Sequence, residues 1–132
     1  AKSNKTIVLK GDKSLSKRDF SRVIKPLKKF GLSFKLSKNN LPLKFKGTNY
    51  LSPIKYEELK GSAQVKSCIL LAALNTPGKT IIKCFPSRDH TERLFKFLNL
   101  PIKIKKKINY LTVYLTRHAL YLSLQPSKVL ST

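Results

Sequence analysis

Two serines, a glutamine and two arginines are the residues of this chain best suited to chemistry. Ser62 and Ser87 each stand at the head of a helical pattern. A serine there caps the helix, and the first turn leaves backbone N–H groups unclaimed at the positive end of the dipole, which favours an oxyanion. Both serines are expected to open helices, so that two such places can converge. Ala63 and Gln64 follow Ser62, Arg88 follows Ser87, and Arg18 lies in the earlier run Ser16-Lys17-Arg18-Asp19. A guanidinium grips a phosphate or carboxylate with two parallel hydrogen bonds, which an ammonium cannot do. The chemistry on offer is the holding of anions. Taken singly, each residue has a plainer reading: Ser62 as a cap only, Gln64 as a polar residue on a helix surface, each arginine as a solvated charge.

Proton transfer finds no such support. The acids are Asp12, Asp19, Glu57, Glu58, Asp89 and Glu92, and nothing in their spacing places one as a general base. His90 and His118 have no acid or thiol partner at motif spacing. Cys68 and Cys84 form no CxxC pair and lie in apolar stretches, so they read as reduced core thiols of a cytoplasmic-type compartment. No catalytic residue, metal site or cofactor is assigned.

The formal charge is +22, with 28 lysines and arginines against six acids in 132 residues. Such a balance attracts polyanions through counterion release, so non-specific nucleic-acid binding is one expected partner class. The plainer reading spreads lysine over every exposed face. Lys35, Lys38, Lys44, Lys46, Lys103 and Lys105 alternate along strands, which puts them on the solvent side. An apolar content of 41% is ordinary for a folded domain. The longest apolar run, Cys68 to Leu74, is too short to span a bilayer, so no membrane role is expected. No cleavable signal and no methionine opens the chain, which fits an excised segment as well as a processed one.

The positioning elements follow from period and punctuation. Thr6 to Lys10 alternates as a strand. Ser16 with Asp19 resembles a capping box ahead of Phe20, Val23, Ile24, Leu27 and Phe30, which have helical spacing; Pro26 inside that pattern is expected to kink the helix, and Gly31 ends it. Ser33 to Leu36 and Leu41 to Lys46 read as strands joined through Asn39-Asn40. Pro53 to Tyr56 is a further strand. Ser62 then caps a helix to about Leu74 that is apolar on nearly every side and therefore buried. Lys79 to Phe85 is a strand, Ser87 to Leu98 a helix with Leu94, Phe95 and Leu98 inward, and Pro101 to Lys105 and Tyr110 to Leu115 are strands. His118 to Thr132 reads as strand and loop without a clear path.

The pattern repeats. Lys5-Thr6-Ile7 returns as Lys79-Thr80-Ile81, and Ser16, Arg22, Lys25 and Leu27 return 71 positions on as Ser87, Arg93, Lys96 and Leu98. The fold class is α/β with mixed sheets, built from β-α-β-α-β-β units of roughly 70 residues. Residues 5–47 form the trailing part of one unit, 52–116 a complete one, and 117–132 the uncertain start of the next segment.

The wording of these units resembles the EPSP synthases, whose fold is the inside-out α/β barrel of the enolpyruvyl transferases. Gly61-Ser62-Ala63-Gln64-Val65-Lys66-Ser67 with Leu70-Leu71-Ala72-Ala73-Leu74-Asn75-Thr76-Pro77-Gly78 is similar to the family's SAQVKS…LLAxLNTPG run, and Ser87-Arg88-Asp89-His90-Thr91-Glu92-Arg93 to its SRDHTER block. Gly11-Asp12-Lys13-Ser14-Leu15-Ser16-Lys17-Arg18 resembles the GDxSLxKRP block, and Leu41-Pro42-Leu43 the LPL strand. Together they cover residues 5 to about 105. The resemblance implies transfer of an enolpyruvyl group from phosphoenolpyruvate to shikimate 3-phosphate. It implies that Arg18 binds phosphoenolpyruvate, that Ser62 and the Ala63 backbone hold the 3-phosphate, that Gln64 lies between the substrates, and that Arg88, with Ser87 beside it, meets the shikimate-bound phosphate. Asp19 stands where the family has proline, which would loosen the Arg18 loop.

Parts of the family pattern are missing: the first substrate-binding Lys-Ser pair, the Asn-x-Gly-Thr loop, and the proton-transferring residues of the second domain. No turnover is therefore expected from this chain alone, and the missing parts on another chain are an expected partner. A basic nucleic-acid-binding module on the same scaffold, stacking bases on Tyr110, Tyr114 or Tyr121, is the alternative reading, and a decayed coding remnant that still folds is a third.

Overall fold

A computed structural model of the chain describes residues 1–36 and 38–117. They fall into two compact units that divide between Ser52 and Pro53. The stretch expected to begin a further segment lies, apart from Arg117, outside the described residues.

The first unit runs β1 (Thr6–Leu9), α1 (Lys13–Ser16), α2 (Ser21–Phe30), β2 (Ser33–Lys35) and β3 (Leu43–Lys46). Its sheet has the order β1-β3-β2, with both pairs antiparallel. The helix opens later than the capping-box reading expects. Asp12, not Ser16, caps a separate one-turn helix through Leu15 N–H, and α2 starts behind Phe20, which offers no side-chain cap. Asp19 instead takes the Ser21 N–H at 2.7 Å. Pro26 sits inside α2 and is buried; Ile24 and Phe30 point inward as their spacing requires. Gly31, at φ 115°, ends the helix in the left-handed region that a side chain avoids, with Leu32 N–H closing back on Leu27 O. Across the sheet Phe34 faces Phe45 with ring centroids 5.2 Å apart, while Lys44 and Lys46 alternate outward.

The second unit runs β4 (Lys55–Glu58), α3 (Ala63–Ala73), β5 (Gly78–Cys84), α4 (His90–Phe97), β6 (Ile102–Lys106) and β7 (Leu111–Arg117). Its sheet order is β4-β5-β7-β6; β4 and β5 are parallel and the other pairs antiparallel. The triplet β5-β7-β6 repeats β1-β3-β2 in order and direction, so the internal sequence repeat is also a repeat of topology. Thr80, Ile82, Cys84, Val113 and Leu115 alternate onto one face and are buried with Val65, Ile69, Leu70 and Phe95 of the two helices. Lys79, Lys83, Lys103, Lys105 and Tyr114 occupy the other face, where Lys79 lies 4.7 Å from the Tyr114 ring centre.

Two expectations need correction here. Strand β4 begins at Lys55 rather than Pro53, because its pairing partner is fixed by β5: Lys55 faces Ile81 and Glu58 faces Cys84. In α4, Phe95 is inward, but Leu94 and Leu98 are about half exposed and Phe97 is 81% exposed. The apolar arc of this helix is wider than the face the sheet covers.

Candidate functional site

Parallel pairing of β4 and β5 sends both strands out at the same edge of the sheet, with Glu58 opposite Cys84. Ligands of α/β sheets gather outside such carboxyl ends, because the loops there lead into helix N-termini. Phe85 N–H donates to Glu58 O at 3.2 Å, which keeps the two loops side by side as they leave. Gly61 turns the first loop with φ 70°, and a Cβ built there would come 3.7 Å from Pro86 O in the second. The two motif blocks, far apart in sequence, thus become neighbours.

Ser62 is the N-cap of α3, as its place in the sequence predicts. Its hydroxyl accepts the Val65 N–H at 3.3 Å and its carbonyl the Lys66 N–H at 3.2 Å. Its own N–H is held by Glu58 Oε2 at 2.8 Å, and Glu58 Oε1 takes Lys60 N–H at 3.1 Å. That leaves the Ala63 and Gln64 N–H groups as the helix donors with no partner among the described residues. Two amides at the positive end of an 11-residue helix suit a phosphate oxygen. The Gln64 side chain is exposed.

Ser87 does not open a helix, contrary to expectation. The N-cap of α4 is Asp89, which makes no side-chain cap bond, and the helix starts at His90. Ser87 lies two residues earlier in the loop. Its Oγ is sealed from solvent and has no hydrogen-bond partner among the described residues. A buried hydroxyl left unmatched costs about 1–3 kcal/mol, so its place calls for a reason. Arg88 beside it is exposed and free to reach outward. Of the α4 amides, Arg93 N–H is spent on Asp89 O, whereas His90 and Thr91 N–H have no described partner.

The two N-terminal turns are joined by side chains. Lys66 Nζ meets Glu92 Oε1 at 2.5 Å, with side chains 0% and 2% exposed. One step along, the Ser67 and Thr91 hydroxyls lie 2.7 Å apart. A Lys inside an apolar helix was the visible signal for such a pair; the identity of its partner depends on tertiary packing and was not readable from spacing. Glu58 was likewise missed, since only the fold reveals that its carboxylate faces its own loop.

Arg18 belongs to the first unit. It is exposed, in the segment between α1 and α2, and Asn40 Nδ2 donates to its carbonyl at 3.0 Å. The Ser21 backbone N–H lowers the pKa of Asp19 next to it. The loop therefore has two tethers in place of the stiffness a proline would give. Cys84 is buried and Cys68 partly so; burial raises both thiols. Among the described residues no cluster of His, Cys, Asp and Glu could hold a metal ion, and no helix is long and apolar enough to cross a membrane.

Comparison with known proteins gives a consistent result. The sequence model of the family described as EPSP synthase (3-phosphoshikimate 1-carboxyvinyltransferase) matches residues 1–121. The 3-phosphoshikimate 1-carboxyvinyltransferase of Ruthia magnifica subsp. Calyptogena magnifica is 50% identical over 97 residues, covering 73% of this chain and 22% of that protein. The EPSP synthase structure from Acinetobacter baumannii superposes with a TM-score of 0.73 at 36% identity, over 86% of this chain and 25% of that one. The enolpyruvyl transferase NikO from Streptomyces tendae, at 16% identity and a TM-score of 0.53, shares the fold. The chain spans about a quarter of the length of these relatives. The matches give the nucleic-acid reading no support.

Proposed function

Since this chain belongs to the EPSP synthase family, we propose that its second unit carries the shikimate 3-phosphate side of that enzyme's substrate site. In this reading the Ala63 and Gln64 amides, the Ser62 cap and Arg88 receive the 3-phosphate, the Ser87 hydroxyl turns out of its buried place to join them, and Gln64 reaches between the substrates. Arg18, in the first unit, binds the phosphoenolpyruvate carboxylate or phosphate. The reaction served is enolpyruvyl transfer to shikimate 3-phosphate in aromatic amino-acid biosynthesis, and two free thiols suit a cytoplasmic setting.

The observation that supports this most is the pairing of two helix N-termini at one carboxyl edge. The loops that precede Ser62 and Ser87 run side by side there, Gly61 next to Pro86, and the Ala63 and Gln64 amides have no partner among the described residues. The Glu58 carboxylate is occupied by two backbone N–H groups and is not free to serve as a general base. Catalysis needs the reacting groups held and proton transfer arranged in one cleft, so the chain alone binds and does not turn over. The apolar strip of Leu94, Phe97 and Leu98 offers a contact for other parts of the enzyme.

Isothermal titration with shikimate 3-phosphate, shikimate and inorganic phosphate over a salt series tests the reading. Saturable binding of the phosphorylated ligand at 0.3 M salt, against none for shikimate, is expected. Equal, fully salt-screened binding of any polyanion would replace the site with bulk charge. Phosphate release by the purified chain in a coupled assay would overturn the claim of no turnover.

A further inference from the structure

The Lys66–Glu92 ion pair is not explained by holding anions, since both side chains are inaccessible. It is also poorly suited to stabilising the fold. Removing two charges from water costs about as much as their attraction returns, and an apolar pair of similar volume often does better. The pair is also incompletely satisfied: Lys66 Nζ meets Glu92 Oε1 alone, and Glu92 Oε2 has no hydrogen-bond partner among the described residues. What a charged pair provides, and an apolar pair does not, is direction. A carboxylate and an ammonium fix a distance and an angle, whereas two aliphatic chains slide past one another.

The place of the pair gives that direction a use. Lys66 lies in the first turn of α3, four residues past the Ser62 cap, and Glu92 in the first turn of α4, three past Asp89. The Ser67–Thr91 contact is a second rung beside it. Apolar packing deeper in the unit, through Ile69, Leu70 and Phe95, holds the helices against the sheet but sets no fine register. We infer that Lys66–Glu92, with Ser67–Thr91, is a strut that sets the N-terminal turns of α3 and α4 in register, making these four positioning residues for the anion site at Ser62–Gln64 and Ser87–Arg88. The inference rests on the phosphate-site reading. A displacement of about 1 Å in such a site costs up to a hundredfold in what it does, so the strut acts on affinity without touching ligand.

The test is a double variant of the full chain, Lys66→Met with Glu92→Leu, which removes both charges at similar volume. Melting temperature, shikimate 3-phosphate affinity by titration and ligand-free amide NMR shifts are read on the same samples. The expected result is a melting temperature equal to or above that of the unaltered chain, affinity about tenfold weaker, and displaced amide signals for Ala63, Gln64, His90 and Thr91. Unchanged affinity and shifts in a folded double variant would overturn the strut. Should that variant not fold, Thr91→Val removes the second rung alone, with weaker affinity at unaltered stability expected; unchanged affinity there also overturns it. If the unaltered chain shows no saturable binding, the phosphate-site reading fails instead. The strut is then decided by the ligand-free shifts, whose constancy would refute it.

Discussion

Replacing Glu58 tests whether the entrance to α3 is held by that carboxylate. Glu58 is 4% exposed, and its two oxygens accept Lys60 N–H at 3.1 Å and Ser62 N–H at 2.8 Å. Hydrogen bonds to a charged group contribute about 1.5–3 kcal/mol each, and water cannot replace a partner at a site so enclosed. Glu58→Gln keeps one acceptor but turns an NH2 group toward a backbone N–H, so it should lose about one such bond, or 1.5–3 kcal/mol. For a domain of this size that is roughly 6–12 °C in melting temperature. Glu58→Ala loses both bonds and leaves a gap, and should cost about 3–5 kcal/mol. Urea unfolding with hydrogen exchange at Lys60 and Ser62 measures it: the Ser62 amide should be protected in the unaltered chain and exchange freely in Glu58→Ala, while Glu58→Gln should release one of the two amides. A Gln variant of unaltered stability in which both amides remain protected would refute the reasoning.

Three further outcomes follow from individual groups. Ser87→Ala removes a buried, unmatched hydroxyl, so stability should rise by up to about 1–3 kcal/mol while shikimate 3-phosphate affinity falls; urea titration and calorimetry on one sample decide it, and a fall in both would assign Ser87 to the fold alone. Asp19 has a lowered pKa in the folded chain, so its contribution is complete above the unfolded value of 3.8 and is lost as pH falls through the lower folded one. Acid titration of the Asp19→Asn variant should lack that loss, and an identical acid limb would remove the Ser21 tether from the account. Cys84, with its thiol raised by burial, should resist alkylation at pH 8 until the chain unfolds, and rapid labelling of the folded chain would contradict its place in the core.

Much of the architecture was legible because local and tertiary preferences agree. Ser62 caps where an apolar run begins, Gly31 stops a helix that cannot continue, and the alternating lysines of β3 and β6 face solvent as the period of two demands. The repeat, visible as a handful of matching residues, returned as a repeated strand order. Failures occurred where distant partners decide. Ser16 looked like a cap, yet Asp12 and Asp19 take the nearby amides first. Ser87 looked like another, but α4 is entered two residues later through Asp89. Leu94 and Leu98 carry an inward-facing period, and the sheet is too narrow to cover them. The pairing of Lys66 with Glu92 spans two helices, and no spacing rule announces it. Of the candidate site residues, Ser62, Ala63, Gln64 and Arg88 were signalled by their motifs; the unpartnered amides beside Ser62 became visible only with the fold.

Anion capture where α3 and α4 begin is tested most directly by titrating the isotopically labelled chain with shikimate 3-phosphate and following the amides by NMR. Saturating shifts confined to Ala63, Gln64, Ser87, Arg88, His90 and Thr91 are predicted. Shifts that instead track the lysine-bearing sheet face around Lys79, Lys103 and Lys105, and vanish with added salt, would contradict it.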